Sequence, residues 1–231
     1  MNSIPIIPGY QINSQLYAGS RTNVYRAIRQ SDQLPVVIKL LTLEYPSFNE
    51  LLQFRHQYTI SKNLNIAGII HPLSLETYGN SYILVMADIG EISLREYIKN
   101  SSLSLIEVLN IAIQLVRIIH ELHESRIIHK DIKPANILIY PHTRQIQLID
   151  FSIASLLPKE TQEIKNPNVL EGTLAYISPE QTGRMNRGID YRSDYYSLGV
   201  TLYEIFTGKL HLIVTTRWNW YIVIWQKCHC S

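Results

Sequence analysis

The feature that most constrains the fold is a polar run of eight residues at positions 129–136, His-Lys-Asp-Ile-Lys-Pro-Ala-Asn. It closely follows a stretch in which apolar residues recur at helical spacing, so the sequence predicts a long amphipathic helix over residues 105–124. Ser104 and Glu107 form a capping box at the start of this helix. Because a short strand is predicted over residues 136–139, the run is expected to form a loop between two buried elements.

The chain before this helix is predicted to be rich in strands. Residues 15–28 and 35–41 carry β-branched and aromatic side chains with turn signals between them. Residues 82–86 are apolar throughout and predict a buried strand. A second capping box, Ser47 with Glu50, predicts one helix among these strands.

The connector at residues 86–90 divides the predicted elements into two lobes. The β-rich lobe covers about residues 10–87, and a mainly helical lobe covers about residues 91–209. The helical lobe contains a second short strand over residues 145–149 and a buried helix over residues 193–207. The sequence therefore predicts an α+β architecture with two lobes.

Composition argues against several classes of protein. A net charge of +2, with Lys and Arg scattered singly, is not the basic stripe of a nucleic-acid binder. The most apolar late stretch, residues 210–225, is interrupted by polar residues, so no membrane span is predicted. The only cysteines, Cys228 and Cys230, lie at the end of the chain, which predicts a reducing, cytoplasmic setting without a disulfide framework.

The eight-residue run resembles the catalytic loop of protein kinases. Phosphoryl transfer needs little covalent participation from the protein, because positioning and charge neutralisation carry most of the catalysis. By this resemblance Asp131 accepts or orients the proton of the substrate hydroxyl, Lys133 steadies the transferring phosphate, and Asn136 holds a magnesium ion. An ordinary helix-ending turn would not explain four matching positions in a run of eight.

A second motif, Asp150-Phe151-Ser152, begins fourteen positions after Asn136, at the end of the second short strand. At this spacing it resembles the metal-binding motif of protein kinases, which implies that Asp150 binds the magnesium that bridges the ATP phosphates. Ser152 stands where the family has glycine, and this removes some backbone freedom at the start of the activation segment. The carboxylate itself is retained.

The resemblance implies further nucleotide-binding residues in the β-rich lobe. The hydrophobic strand of residues 36–39 ends in Lys39, the implied ligand of the α- and β-phosphates. Val24 lies fifteen residues earlier, where the family places the valine that covers the adenine. Met86 and Asp88, in the connector, are predicted to complete the ATP-binding set. The implied architecture is the two-lobed protein kinase fold with Mg-ATP in its cleft.

Three further departures from the family pattern weaken this assignment. Tyr17, Gly19 and Thr22 occupy the three positions of the glycine-rich loop, so Gly19 is the one glycine left to approach the phosphates. Gln57 stands where a glutamate would pair with Lys39, and an amide accepts a hydrogen bond but forms no ion pair. Lys130 replaces the arginine whose planar fork reads a phosphorylated activation loop.

The later motifs concern the acceptor. Residues 172–180 resemble the end of a Ser/Thr kinase activation segment and, together with Lys133, imply a Ser or Thr acceptor in a protein substrate. Residues 194–200 match the helix whose aspartate, here Asp194, braces the catalytic loop. Residues 178–187 resemble the N-terminal kinase domain of large bacterial multidomain sensor kinases.

These resemblances predict an ATP-dependent protein Ser/Thr kinase for signal transduction, with ATP and magnesium as cofactors. Gln57, the degraded glycine-rich loop and an expected truncation of the kinase domain leave open a catalytically impaired pseudokinase or a nucleotide-binding interaction module. A small-molecule phosphotransferase would share the catalytic aspartate and the metal chemistry. Residues 173–180 argue against that class, because they resemble machinery for a peptide substrate.

The resemblance ends near Lys209, and residues 210–231 form an aberrant tail rich in Trp. Back-translation of residues 218–229 and a shift of one base give a peptide that resembles the next helix of the family. We therefore expect a frameshift near His211 and a kinase domain, residues 1–209, that lacks its last C-lobe helices. A divergent tail is the alternative.

Overall fold

The computed structural model describes residues 4–156, 173–182 and 188–211, which form two compact units. The N-terminal unit contains the described residues up to Asn65 together with Ile69–Glu91. The C-terminal unit contains Ile66–Gly68 and the described residues from Ile92 onward. Strands dominate the first unit and helices the second, so the predicted α+β class is confirmed.

The N-terminal unit is built on an antiparallel sheet of five strands in the order β1-β2-β3-β5-β4. The strands are β1 (Tyr10–Ala18), β2 (Thr22–Arg29), β3 (Leu34–Leu41), β4 (Pro72–Tyr78) and β5 (Ser81–Ala87). The sequence analysis did not predict β4. This strand pairs only with β5 at the edge of the sheet, and it lacks the run of buried apolar residues that identifies β5.

The two faces of this sheet pack differently. One face forms an apolar core that includes Tyr25, Ile38 and Val85. On the other face, Phe54 of helix α1 (Phe48–Asn63) packs with Leu41 and Leu84. Helix α1 begins at the predicted capping box, in which the Ser47 hydroxyl accepts a hydrogen bond from the Glu50 backbone and the Glu50 carboxylate accepts one from the Ser47 backbone. The helix is therefore held on the sheet face that carries Lys39 and its cross-strand neighbours.

The C-terminal unit has three α-helices within the described ranges. They are α2 (Leu94–Asn100), α3 (Leu105–Glu124) and α4 (Arg192–Thr207). Helix α3 begins at the Ser104–Glu107 capping box and buries one face, whereas three residues of its predicted apolar pattern, Leu105, Leu109 and Val116, are exposed. The sequence analysis did not predict α2, because its seven residues bury only Leu94 and Tyr97 and are too short to establish a helical period.

Short strands frame the loops of this unit. They are β6 (Ile92–Ser93), β7 (Ile127–Ile128), β8 (Ile137–Ile139), β9 (Ile146–Leu148) and β10 (Ser155–Leu156). Strands β6, β8 and β9 form one sheet, and β7 pairs with β10. The polar run of residues 129–136 lies between β7 and β8 and closes with a short 3-10 turn at Pro134–Asn136. The predicted loop between buried elements is thus confirmed.

Helix α4 ends as its sequence predicts. Gly208 adopts a left-handed conformation with φ 68°, and its backbone N–H donates to the Glu204 carbonyl at 2.8 Å. Within the ranges that the structure describes, no helix is long and apolar enough to cross a membrane. The frameshift predicted near His211 concerns residues 212–231, which lie outside the described ranges, as do Cys228 and Cys230.

Candidate active site

Three of the predicted ATP-binding residues share one face of the N-terminal sheet. Lys39 on β3 lies opposite Val24 on β2 and opposite Leu84 on β5. Residues directly opposite each other in an antiparallel sheet point to the same side, so Val24 and Lys39 lie side by side. Met86 follows Leu84 by two positions and therefore faces the same way. The side chains of Val24, Lys39 and Met86 thus meet the geometric requirement of a common site.

The ammonium group of Lys39 is buried and bound to helix α1. Its Nζ donates to Gln57 Oε1 at 3.0 Å, and both residues are less than a tenth exposed. The prediction that Gln57 faces Lys39 is therefore confirmed. Glu50 serves the capping box instead, as expected, because its carboxylate accepts from the Ser47 backbone at 2.8 Å. Helix α1 thus orients the lysine without adding a negative charge through Gln57.

The Gln57→Glu variant is expected to bind ATP more productively, because an ion pair with a carboxylate holds the Lys39 ammonium more firmly than a hydrogen bond to a neutral amide. The difference between the two kinds of bond is about 1 kcal/mol, or roughly fivefold in kcat/KM for ATP. Steady-state kinetics with varied ATP measures it. Gln30→Glu, which adds the same charge at an exposed site of this unit, is the control. Equal kcat/KM for both folded variants would contradict the role given to the Lys39–Gln57 contact.

Asp88 is a predicted ATP-binding residue whose carboxylate organises the connector. It forms an ion pair with the Arg26 guanidinium on β2, and its Oδ1 accepts from the Gly90 backbone N–H at 3.0 Å. The Asp88 backbone N–H donates to the Pro35 carbonyl at 3.1 Å. Burial, and then the charge of Asp88, raise the pKa of Glu91 to about 7. A nucleotide contact of Asp88 stays a prediction.

Gly19 lies in the tight connection between β1 and β2. Its backbone N–H donates to the Thr22 carbonyl at 3.0 Å. The ring of Tyr17 lies directly over it, since a Cβ at Gly19 would come within 2.5 Å of Tyr17 Cε1. The exposed Tyr17 ring therefore occupies the space over Gly19, at a position where the family pattern has an open glycine loop.

The C-terminal unit gathers the predicted catalytic side chains around Asp131. Lys133 Nζ donates to Asp131 Oδ2 at 2.5 Å, and Asn136 Nδ2 donates to the same oxygen at 2.8 Å. The Thr173 hydroxyl donates to Asp131 Oδ1 at 3.0 Å and accepts from Lys133 Nζ at 2.5 Å. Sequence reasoning assigned Thr173 to the activation segment but did not place it in this cluster. The carboxylate is thus oriented by three side chains at once.

Asp194 on α4 braces the catalytic loop, as predicted from the sequence. The side chain is completely buried, and its two oxygens accept from the backbone N–H groups of His129 at 2.9 Å and Lys130 at 2.8 Å. The carboxylate also accepts from His123 Nε2 at 2.9 Å. A buried carboxylate with these partners fixes the backbone just before Asp131.

Asp150 follows β9 in a left-handed conformation with φ 67°. The next residue, Phe151, is buried and meets the His129 ring edge to face at 4.9 Å. Position 152, where the family has glycine, does not need the conformational freedom of glycine here, because Ser152 has no positive φ. The Ile149 backbone N–H donates to the Asn136 carbonyl at 2.9 Å. This bond holds the backbone of Asn136, just before β8, next to the residue that precedes Asp150.

The side chains of Asn136 and Asp150 fit a magnesium site in their chemistry. The Asn136 amide nitrogen donates to Asp131, which leaves the amide carbonyl oxygen as a ligand. Carboxylate and amide oxygens suit magnesium, which usually takes one or two protein ligands and completes its shell with water and phosphate. Among the described residues there is no group of three or more His, Cys, Asp and Glu that could hold a metal ion.

Tyr176 anchors the described end of the activation segment within the same unit. Its hydroxyl donates to Glu204 at 2.5 Å and accepts from Arg95 at 3.1 Å. Burial and the Glu204 carboxylate raise the Tyr176 pKa well above its usual value. The Tyr176 carbonyl accepts from the Ser197 hydroxyl at 2.8 Å, so α4 carries both the brace of the catalytic loop and the anchor of this segment.

Two features define the class of this protein. In the C-terminal unit, a later helix braces a loop with an ordered set of Asp, Lys and Asn side chains, and in the N-terminal unit a sheet carries a buried lysine. Both features belong to the phosphotransferase class that the sequence resembles. The comparison with known families agrees: the chain belongs to the protein kinase domain family, whose model matches residues 10–224. The predicted membership and two-lobed kinase fold are confirmed. The finer resemblance to sensor kinases stays a prediction, since residues 183–187 of its motif lie outside the described ranges.

Relatives of the chain include bacterial Ser/Thr protein kinases. PrkC of Bacillus subtilis is 36% identical over 205 residues, which cover 87% of this chain and 31% of that protein. PknA of Mycobacterium tuberculosis is 31% identical over 210 residues, or 87% of this chain and 47% of that protein. A probable Ser/Thr protein kinase of Clostridium perfringens is 31% identical over 201 residues, or 86% and 29%. The matched region therefore covers 29% to 47% of the length of these three relatives.

Proposed function

We propose that this chain is the catalytic domain of a protein Ser/Thr kinase, which transfers the γ-phosphate of ATP to a Ser or Thr hydroxyl of a protein. The observation that carries the proposal is the cluster in which Asp131 is bound by Lys133, Asn136 and Thr173. Its membership of the protein kinase domain family and its Ser/Thr kinase relatives support the same reaction.

The proposed reaction is an in-line displacement at the γ-phosphorus. The acceptor oxygen forms a bond to phosphorus while the bond to the β,γ-bridging oxygen breaks, and ADP leaves. Asp131 orients the hydroxyl and takes its proton. The hydrogen bonds from Lys133 and Thr173 hold the carboxylate in position for this step. Lys133 lies 2.5 Å from that carboxylate and would neutralise charge that develops on the transferring phosphoryl group.

The remaining predicted residues would hold the nucleotide. Lys39 would bind the α- and β-phosphates through an ammonium that Gln57 already orients. Asn136 and Asp150 would hold magnesium, which supplies positive charge on the phosphate oxygens when it is bound. Val24 and Met86, on the same sheet face as Lys39, would contact the adenine. The need for ATP favours a cytoplasmic location for the reaction.

The Lys39→Ala and Asp150→Ala variants are expected to lose Mg-ATP binding in different ways. Loss of a charge-assisted bond to phosphate costs about 1.5–3 kcal/mol, so Lys39→Ala should weaken binding roughly 10- to 100-fold with or without magnesium. Asp150→Ala should weaken only the magnesium-dependent part. Titration calorimetry with ATP, in magnesium and in EDTA, separates the two effects. Lys62→Ala, at an exposed lysine of α1, is the control, and equal binding by all the proteins would overturn the site assignment.

A further inference from the structure

Lys130, the residue directly before Asp131, has an unusual backbone conformation. Its φ is 67°, in the left-handed region. This region costs a residue other than glycine about 1–2 kcal/mol, and such residues persist only where their surroundings fix them. Lys130 is also buried. Whatever holds this backbone therefore also sets the direction in which the Asp131 side chain leaves the chain.

Gln181 is one of the groups that hold it. The side chain is buried, with 4% of the residue exposed, and its Nε2 donates to the Lys130 carbonyl at 3.0 Å. Its Oε1 accepts from the Ser178 backbone N–H at 3.1 Å and from the Ser178 hydroxyl at 3.0 Å. One carboxamide thus connects the end of the activation segment, at Ser178, to the Lys130 carbonyl of the catalytic loop, which lies 51 positions from Gln181.

The contact falls on the peptide group that joins Lys130 to Asp131. Its carbonyl oxygen is bound by Gln181, and its N–H, which belongs to Asp131, donates to His129 Nδ1 at 3.3 Å. The preceding N–H, that of Lys130, is bound by Asp194. Both polar atoms of this peptide group are therefore held by hydrogen bonds. Of the side chains that hold it, Gln181 is the one that directly follows residues 172–180, which imply a Ser or Thr acceptor.

We propose that Gln181 is a positioning residue that orients Asp131 by holding the Lys130 carbonyl, and that it couples the Ser178 segment to the catalytic carboxylate. The inference rests on the proposed function, because it assigns Asp131 its role in the transfer. The connection is made by a neutral carboxamide and requires no phosphate group. This hydrogen bond connects the Ser178 segment to the catalytic loop in a chain that has Lys130 where the family has the arginine that reads a phosphorylated activation loop.

The test compares Gln181→Met with Gln114→Met. Gln114 has the same bonding pattern in the same unit, since its Nε2 donates to the Arg144 carbonyl at 3.0 Å and its Oε1 accepts from the Ile146 N–H at 3.1 Å. Gln181→Met is expected to lower kcat roughly 10- to 100-fold, the cost of a displaced catalytic group, and to change KM for ATP less than about twofold. Gln114→Met should keep both constants within about twofold of wild type.

Hydrogen exchange followed by mass spectrometry gives a readout that does not depend on activity. Gln181→Met should speed amide exchange in residues 129–136, whereas Gln114→Met should not. If Gln181→Met does not fold, Gln181→Asn replaces it, because it keeps a neutral carboxamide whose side chain is one methylene too short to reach both Ser178 and Lys130. Unchanged exchange in that segment, or equal kcat for the two Met variants, would overturn the inference. If the wild-type protein transfers no phosphate, but amide exchange in residues 129–136 is faster in Gln181→Met, only the proposed function is refuted.

Discussion

The Asp194→Ala variant is expected to lose a large part of the stability of the C-terminal unit. Asp194 is completely buried and accepts the backbone N–H groups of His129 and Lys130. Each buried donor left without an acceptor costs about 1–3 kcal/mol, so the two together cost roughly 2–6 kcal/mol. A whole domain is stable by only about 5–15 kcal/mol. Urea unfolding followed by circular dichroism measures the change.

The matched control is Asp32→Ala. Asp32 forms an exposed ion pair with Arg29, and pairs of that kind contribute less than about 1 kcal/mol. Asp194→Asn should fall between the two alanine variants, because its amide oxygen can accept from only one side of the loop while its NH2 faces the other donor. Unfolding free energies that are equal for Asp194→Ala and Asp32→Ala would show that the catalytic loop does not depend on this brace.

The Asp131→Asn variant is expected to fold and to bind Mg-ATP but to lose phosphoryl transfer. With its oxygen at the Oδ2 position the amide still accepts from Lys133 and Asn136, and its NH2 can donate to the Thr173 hydroxyl, so the hydrogen-bonded cluster is largely kept. An amide cannot take the proton of the acceptor hydroxyl, and loss of a general base typically costs roughly 10²- to 10⁴-fold in rate. Single-turnover kinetics with labelled ATP measures the loss without interference from product release.

The control for this variant is Asp32→Asn, which makes the same chemical change at an exposed turn. It should keep the rate of wild type within about twofold. Calorimetry should give the Asp131→Asn and wild-type proteins the same affinity for Mg-ATP, because Lys39 and Asp150 are unchanged. If Asp131→Asn keeps the wild-type rate, Asp131 is not the general base, and the cluster around it has no catalytic role of this kind.

Local signals in the sequence predicted much of this structure. Both capping boxes begin helices where expected, because their hydrogen bonds join residues three positions apart. The period of α3 and the apolar run of β5 predicted two buried elements, since each pattern reflects one face or one layer. Gln57 was correctly placed opposite Lys39 by aligning the apolar positions Ile60 and Leu64 with the pattern of the protein kinase family.

The contacts that sequence reasoning missed are those that join distant parts of the chain. Thr173 meets Asp131 across 42 positions, and Gln181 meets Lys130 across 51. Neither pair has a periodic pattern, because each depends on how separate elements pack. The partners of Asp88 were missed for a similar reason, since its ion pair with Arg26 spans 62 positions. Polar side chains at such contacts resemble ordinary surface residues until the fold brings them together.

The most direct test of the proposed kinase activity is transfer of label from γ-labelled ATP to casein in the presence of magnesium, followed by phosphoamino-acid analysis. Wild-type protein should place label on serine or threonine, α-labelled ATP should give none, and Asp131→Asn should transfer roughly 10²- to 10⁴-fold less. A folded wild-type protein that binds Mg-ATP and transfers no more label than Asp131→Asn, or that labels only tyrosine, would contradict the assignment as a Ser/Thr kinase.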